Sequence, residues 1–406
     1  MVGDFLMKRK GTSLLEKQIL HTIFGKIENG SLAIRYWDGE EIIYGQPKGN
    51  MKLIFKTMPT LHFANDPILA MGESYMSGAL DYEGHLEDFL RLLDANPQAF
   101  VKNNILTKTV QAMSGLSSRF QAKQNIQHHY DLGNDFFSLW LDKTMSYSCA
   151  YFKHSDNTLE QAQLQKIDYI LKKLNLKPGE ALLDIGCGWG WLIIKAVQTY
   201  GVKAMGITLS EEQFKKSQQR IASLNLTDQI TVKLLNYLDL DEKTYRFDKI
   251  VSVGMFEHVG KKNIPNYLEK ISSLLAPGGL SLLHTITDTT ENKPENSWIK
   301  KFIFPGGYVP SLREVIWQLP EYDFHLLHME SLRMHYAKTL DCWYHNFSDH
   351  IDIIKEKFDD QFVRMWSLYL QGCAAAFRAT GLDIHQLLFS KGLNNNLPLT
   401  YEHLHN

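Results

Sequence analysis

The chain has 406 residues, 44% of them apolar and 22% charged, with a formal net charge of −2. Those proportions are those of a soluble globular protein long enough for two or three domains. The near balance of charge leaves no basic excess to neutralise phosphates, so a nucleic-acid partner is not expected. Cys149, Cys187, Cys342 and Cys373 are scattered without paired ligand spacing, which predicts reduced cytoplasmic thiols and no metal. The N-terminus does not read as a secretory leader, and no window reaches the roughly 18–20 apolar residues of a membrane span.

Residues 1–105 read as a small α+β unit. Leu14 to Ile27 has a helical pattern. Ser31–Trp37 and Glu41–Tyr44 alternate as strands around the turn Asp38-Gly39, and Met51–Lys56 reads as a third strand. A loop through Pro59 and Pro67 precedes Glu73–Gly84, which leads into an amphipathic helix over Leu86–Leu93. This unit shows no catalytic cluster. Binding something greasy and packing as an interface stand equal as its role. Residues 106–125 are polar and read as a helical connector.

Seven aromatic residues fall between Tyr130 and Phe152, more than an ordinary surface loop tolerates. His128 and His129 are adjacent, so on a helix they diverge by about 100° and cannot easily share one metal. They read as hydrogen-bonding residues of a pocket wall.

Ala181-Leu-Leu-Asp-Ile-Gly-Cys-Gly-Trp-Gly190 then sets an apolar strand against a glycine turn and a helix reaching Tyr200. Such a turn brings backbone N–H groups close to a ligand, with the positive helix end aimed at it. Asp184, at the carboxyl end of the strand, can accept hydrogen bonds from a polar ligand. Strands follow at Lys203–Thr208, Gln229–Leu234, Phe247–Val253 and Leu280–Ile286, alternating with helices over Glu211–Leu224, capped by Ser210, and Ile264–Leu275, which closes at Pro277-Gly-Gly279. The alternation predicts an α/β domain over residues 106–406, with a parallel sheet covered on both faces. Residues 287–320 interrupt it as a lid insertion over the strand ends. Two long helical stretches, about 337–356 and 359–379, and a strand-like Ile384–Ser390 complete the chain.

The turn reads G-x-G-x-G rather than G-x-G-x-x-G, and the second strand ends in Thr208-Leu-Ser rather than in the acid that holds nicotinamide ribose hydroxyls. Both departures favour S-adenosylmethionine, whose sulfonium needs no phosphate cradle, over a dinucleotide.

Several motifs in order resemble the cyclopropane-fatty-acyl-phospholipid synthases: His129-Tyr-Asp-Leu-Gly-Asn-Asp-Phe-Phe, Tyr147-Ser-Cys-Ala-Tyr-Phe, the glycine stretch itself, Gly206-Ile-Thr-Leu-Ser, Met255-Phe-Glu-His-Val-Gly, Phe304-Pro-Gly-Gly and Tyr336-Ala-Lys-Thr-Leu. Phe377-Arg, Leu387–Gly392 and, in the first unit, Gly72-Glu-Ser-Tyr-Met also fit. The resemblance implies a class I, Rossmann-like methyltransferase domain behind the small N-terminal unit. It implies addition of a methylene, taken from the methyl of S-adenosylmethionine, across a cis double bond of an unsaturated phospholipid acyl chain. The place of work would be cytoplasmic, at the inner face of the cell membrane. Within that resemblance the N-terminal unit handles lipid or forms a homodimer.

An alkene is a weak nucleophile, so such a reaction needs no enzymic nucleophile but must shield a carbocation. Tyr147, Tyr151, Phe152, Phe302, Phe304 and Tyr308 are candidates, at about 0.5–2 kcal/mol per cation–π contact. The resemblance places a bound bicarbonate as base, held by Cys149, Glu257, His284, Tyr336 and the backbone at Ile286. A thiol, an imidazole and a phenol can donate to a small anion. Ionised Glu257 only accepts, either from a protonated bicarbonate or from His284. Tyr147, Ser148, Gly186, Gly188, Thr208, Leu209 and Gln213 match the family's cofactor contacts. Asn236 stands where the family usually has an aspartate facing the adenine, and its amide carbonyl can still accept there. The pairs Lys172-Lys173, Lys261-Lys262 and Lys300-Lys301 could face anionic head groups. Two rivals stay open: a methyltransferase that branches acyl chains or methylates an amine, and a lipid-binding protein with an inactive methyltransferase half.

Overall fold

The computed structural model describes residues 16–46, 49–59, 61–100, 132–291 and 296–404. The connector 106–125, His128 and His129 lie outside them. The chain forms two compact units.

The first comprises the described residues of Met1–Ser117, Pro294–Pro305 and Phe347–Thr380. Strands β1 (Gly30–Arg35), β2 (Glu41–Gln46), β3 (Lys52–Phe55) and β4 (Leu80–Glu83) form one sheet in the order β2-β1-β3-β4. β1 and β2 are antiparallel around the predicted Asp38-Gly39 turn, with Ile34 opposite Ile42. Pro67 opens the helix Pro67–Met76 instead of lying in a loop. Proline suits that first position because its missing N–H has no intrahelical partner there anyway. On this helix Gly72 allows close approach: a Cβ added there would sit 2.2 Å from Cδ1 of Trp298.

The unit is discontinuous, where sequence pattern reads a single break at 105. The helix Asp360–Ala379 packs on the helices Pro67–Met76 and Leu86–Ala95. Arg364 donates to Leu80 O at 3.0 Å and to the Asp81 carboxylate, and Arg378 pairs with Glu87 at 3.2 Å. Apolar periodicity predicts that helix; the partner that buries it is remote in sequence. The predicted lid 287–320 is likewise divided: Pro294–Pro305 belongs to the first unit and Gly306 onward to the second.

The second unit is built on seven strands: β5 (Ala181–Ile185), β6 (Lys203–Thr208), β7 (Ile230–Leu234), β8 (Phe247–Val253), β9 (Leu275–Asp288), β10 (Phe324–Ser331) and β11 (Leu382–Lys391). Their order is β10-β11-β9-β8-β5-β6-β7. β5 to β9 pair in parallel, whereas β11 runs antiparallel to both β9 and β10. Parallel strands are covered on both faces, so they read as unbroken apolar runs; Leu182, Leu183, Ile185, Ile250 and Val251 are accordingly buried. Ser210 caps the helix Glu211–Ser223 as expected, accepting from Gln213 N. β9 begins at Leu275, so Pro277-Gly-Gly279 lies inside a strand rather than closing a helix. The helix Leu159–Lys173 and strand β10 are additional to the elements read from sequence.

Candidate active site

β5 ends at Ile185, and the chain turns through Gly186 and Gly188, both at positive φ (82° and 54°). Two backbone bonds pin the turn to the neighbouring strand, with Gly186 N and Cys187 N donating to Ile207 O at 2.9 and 3.0 Å. Gly190, at φ 81°, starts the helix Trp191–Tyr200. The turn walls a cavity of about 550 Å³ at the carboxyl ends of β5, β6 and β8. Ligands of open α/β sheets bind at such ends. Tyr147, Ser148, Asp184, Gly186, Gly188, Thr208, Leu209, Gln213 and Asn236 all line it, together with Lys166, Met255 and His258.

The polar end of β6 is tied up internally: Thr208 Oγ1 donates to Gln213 Oε1 at 2.8 Å and accepts from Ser210 N at 3.2 Å. Asn236 differs from expectation in one respect. Its Oδ1 already accepts from Leu238 N at 3.0 Å, which leaves one lone pair of that oxygen for a ligand.

Lys166 was not singled out from sequence, yet it is the cavity's buried cation. Its Nζ donates to Ser148 Oγ at 3.0 Å, while Gln163, also buried, donates to Ser148 O at 2.9 Å. Burial pulls the lysine down to about 8, against the opposing pull of Asp142, and pushes Asp184 up to about 7. His258 is pulled down by burial to about 4, so it is neutral at neutral pH.

The other candidates lie outside the cavity wall, Glu257 and His284 with β9 and Cys149 and Tyr336 at Leu332. Glu257 lies on a short turn after β8, and its Oε1 accepts from Ile286 N at 2.6 Å and Thr285 Oγ1 at 3.1 Å. Its Oε2 is shut off from solvent with no partner. Burial raises the Glu257 carboxyl, and those two donors hold it back. His284, fully buried, accepts at Nδ1 from Gln386 Nε2 at 3.0 Å, and its Nε2 has no partner. Of the two donors weighed for Glu257, His284 is therefore not the one it uses. Cys149 and Tyr336 meet at Leu332 O, which accepts from Cys149 Sγ at 3.9 Å and from Tyr336 N at 3.0 Å. Leu332 N in turn donates to Ile384 O at 2.8 Å, and Ile384 pairs with Ile286 across β11 and β9. The Cys149 thiol thus points at backbone carbonyls, and burial pushes its pKa far upward, which suits a donor and not a nucleophile.

The aromatic candidates separate. Tyr147 lines the cavity and packs against Phe137, Trp140 and Trp343. Tyr308 N donates to Glu257 O at 2.8 Å. Tyr151 is stacked between Tyr169 and His335 at 4.3 and 4.9 Å, and Phe152 is buried beside the same histidine. Phe302 and Phe304 fall in the first unit.

A family profile described as mycolic acid cyclopropane synthetase matches residues 117–387. The chain belongs to that family. A second profile, described only as a domain of unknown function, matches residues 19–105. A probable fatty acid methyltransferase of Pseudomonas putida is 36% identical over 92% of this chain and 96% of its own length. The cyclopropane-fatty-acyl-phospholipid synthase of Escherichia coli K12 is 39% identical over 81% of this chain and 85% of its own. Among solved structures, the cyclopropane synthase MmaA2 of Mycobacterium tuberculosis superposes with a TM-score of 0.63 at 37% identity, covering 66% of this chain and 98% of that one. The strand order and these likenesses establish the class I S-adenosylmethionine-dependent methyltransferase fold, and the chain is an enzyme of that class.

One lysine pair reads differently in the fold. Lys173 is buried and bonded to Glu330 and Gln386 at 2.6 and 2.8 Å, so it cannot face a head group. No helix among the described residues is long and apolar enough to cross a membrane.

Proposed function

We propose that this enzyme uses S-adenosylmethionine to convert a cis double bond of an unsaturated phospholipid acyl chain into a cyclopropane. The observation that carries the reading is a pair of buried, unpartnered polar atoms, Glu257 Oε2 and His284 Nε2, on residues that follow β8 and lie in β9. An orphaned buried polar atom costs about 1–3 kcal/mol, and a small anion that bears one proton can accept from an imidazole N–H and donate to a carboxylate. Bicarbonate has that chemistry, and when bound it supplies the base for the last proton.

The alkene π pair attacks the methyl carbon, and the methyl–sulfur bond pair stays on sulfur. The ring closes as the C–H electron pair of the added methyl becomes the bond to the cationic carbon, and the freed proton passes to a base, the role the bound anion would fill. In this scheme the glycine turn, Thr208, Gln213 and Asn236 hold the cofactor. Tyr147 offers its ring face to the cation from a packed aromatic cluster. Glu257, anchored through Oε1, presents Oε2 to the anion's proton. Homology to lipid-modifying enzymes supports an acyl substrate, and phospholipid at a membrane surface is the form we assign to it. The exposed Lys261 and Lys262 would face its head groups.

Turnover on vesicles of dioleoyl phospholipid should fall sharply in carbonate-free buffer and return on adding bicarbonate. Full activity without carbonate would remove the anion from the mechanism. Cofactor binding should also depend on pH. The folded pKa of Asp184 is raised to about 7 from an ordinary 3.8. The contribution of Asp184 to stability is therefore complete below 3.8 and lost as pH rises through 7. A cationic cofactor binds the ionised form, so its affinity should weaken about tenfold per pH unit below that pKa. Calorimetric titration from pH 5.5 to 8 checks this, and Asp184→Asn should flatten the profile.

A further inference from the structure

The orientation of His284 is governed by two groups outside the residues read as catalytic. Lysine carries donors only, and Lys173 Nζ lies 2.8 Å from Gln386 Oε1 and 2.6 Å from Glu330 Oε2. That fixes the Gln386 amide with its oxygen toward the lysine and its NH2 toward His284 Nδ1, 3.0 Å away. An NH2 group can only donate, so Nδ1 must be the bare nitrogen. The ring is neutral, because burial drives its pKa well below the ordinary 6.5. Its one proton is then on Nε2, the atom that is buried without a partner. Lys173, Gln386 and His284 are all buried, and the Lys173 ammonium lies 4.2 Å from the centre of the Tyr169 ring. The chain Glu330–Lys173–Gln386–His284 is therefore held at every link.

We infer that Lys173 and Gln386 are positioning residues that lock His284 in the Nε2–H tautomer, making it a hydrogen-bond donor to the small anion. This rests on the ring-forming reading for its purpose, though the tautomer itself does not. A buried lysine is costly unless paired, and here its pairing determines which face of a histidine donates. With the opposite tautomer, Nε2 would present a lone pair to an anion and repel it.

The test is Gln386→Glu, which keeps shape and a partner for Lys173 but turns an acceptor oxygen toward Nδ1. Long-range proton–nitrogen spectra of enzyme labelled with 15N-histidine report the tautomer, with His284→Gln assigning the signal. The wild type should show protonated Nε2, and Gln386→Glu should show protonated Nδ1. Its turnover should drop about 10–100-fold, by analogy with loss of the partners that orient a metal-bound histidine. Cofactor affinity should stay within about threefold. Lys173→Met, which frees the amide to rotate, should give a mixed signal and a smaller loss. A wild-type Nδ1–H tautomer would overturn the inference without any variant, and so would an inverted tautomer with unchanged turnover. If the wild type makes no cyclopropane yet shows the Nε2–H form that Gln386→Glu inverts, ring formation fails while the lock stands.

Discussion

Glu257→Gln is expected to lower the rate of ring formation by about 10²–10⁴-fold, the span typical of a lost proton-handling group, with S-adenosylmethionine affinity nearly unchanged. The two oxygens of the side chain sit in different surroundings. Oε1 is committed to Ile286 N and Thr285 Oγ1. Oε2 is buried and has no partner of its own. Glutamine can keep an oxygen toward Ile286 N, but it then places an NH2 where an acceptor stood. The protein should fold, since the anchoring bond survives, and the cofactor cavity should be intact, since Glu257 does not line it. Single-turnover rates with labelled cofactor, set beside calorimetric affinities, give both numbers. Equal losses in rate and affinity would make Glu257 a binding residue instead.

Gly186→Val is expected to cut cofactor affinity about 100-fold or more while leaving most of the helix and strand content in place. Gly186 sits at φ 82°, where a β-branched residue costs about 1–3 kcal/mol in backbone strain. Space is short as well: a Cβ there would lie 3.0 and 3.1 Å from Cβ and Cγ of Met255, itself a cavity residue. Valine adds two further carbons beyond that point, so it narrows the cavity as well as straining the turn. At Gly188, also at positive φ (54°), no protein atom lies within 4 Å of an added Cβ, so Gly188→Ala should strain the turn without a clash against Met255 and disturb the fold less than Gly186→Val. Circular dichroism with binding of S-adenosylhomocysteine checks both variants, and a Gly186→Val protein that binds within threefold of wild type would contradict the account.

The parallel sheet was legible because its inner strands β5 and β8 are buried on both faces and read as short apolar runs. Ala181–Ile185, Lys203–Thr208 and Phe247–Val253 match their predicted bounds residue for residue. β10, with the sequence FHLLHMES and only Phe324 fully buried, carries no such signal. The fate of the helix Asp360–Ala379 was hidden for a different reason: local periodicity says that a face is buried, and not against what. Lys166 and Lys173 show a signal that could have been read. They lie seven residues apart on the buried face of the helix Leu159–Lys173, with Gln163 on the same stripe. Charged and amide groups at positions where the period requires apolar ones are costly without partners, and here they lead to Ser148 and to His284. The glycine turn and the residues after β8 and in β9 were found by motif. That Glu257 does not accept from His284, since Glu257 Oε2 and His284 Nε2 are both without a partner, comes only from three-dimensional contacts.

The central claim is that the methyl group of the cofactor ends as a ring carbon in a phospholipid. Purified enzyme should be incubated with methyl-deuterated S-adenosylmethionine, bicarbonate and vesicles of dioleoyl phospholipid, and the acyl chains released and examined by mass spectrometry and proton NMR. The chains should gain one CD2 unit, with the alkene signals replaced by the upfield signals of a cis-cyclopropane. Retention of all three deuterons in a branched chain, a methylated amine head group, or no labelled lipid at all would contradict it.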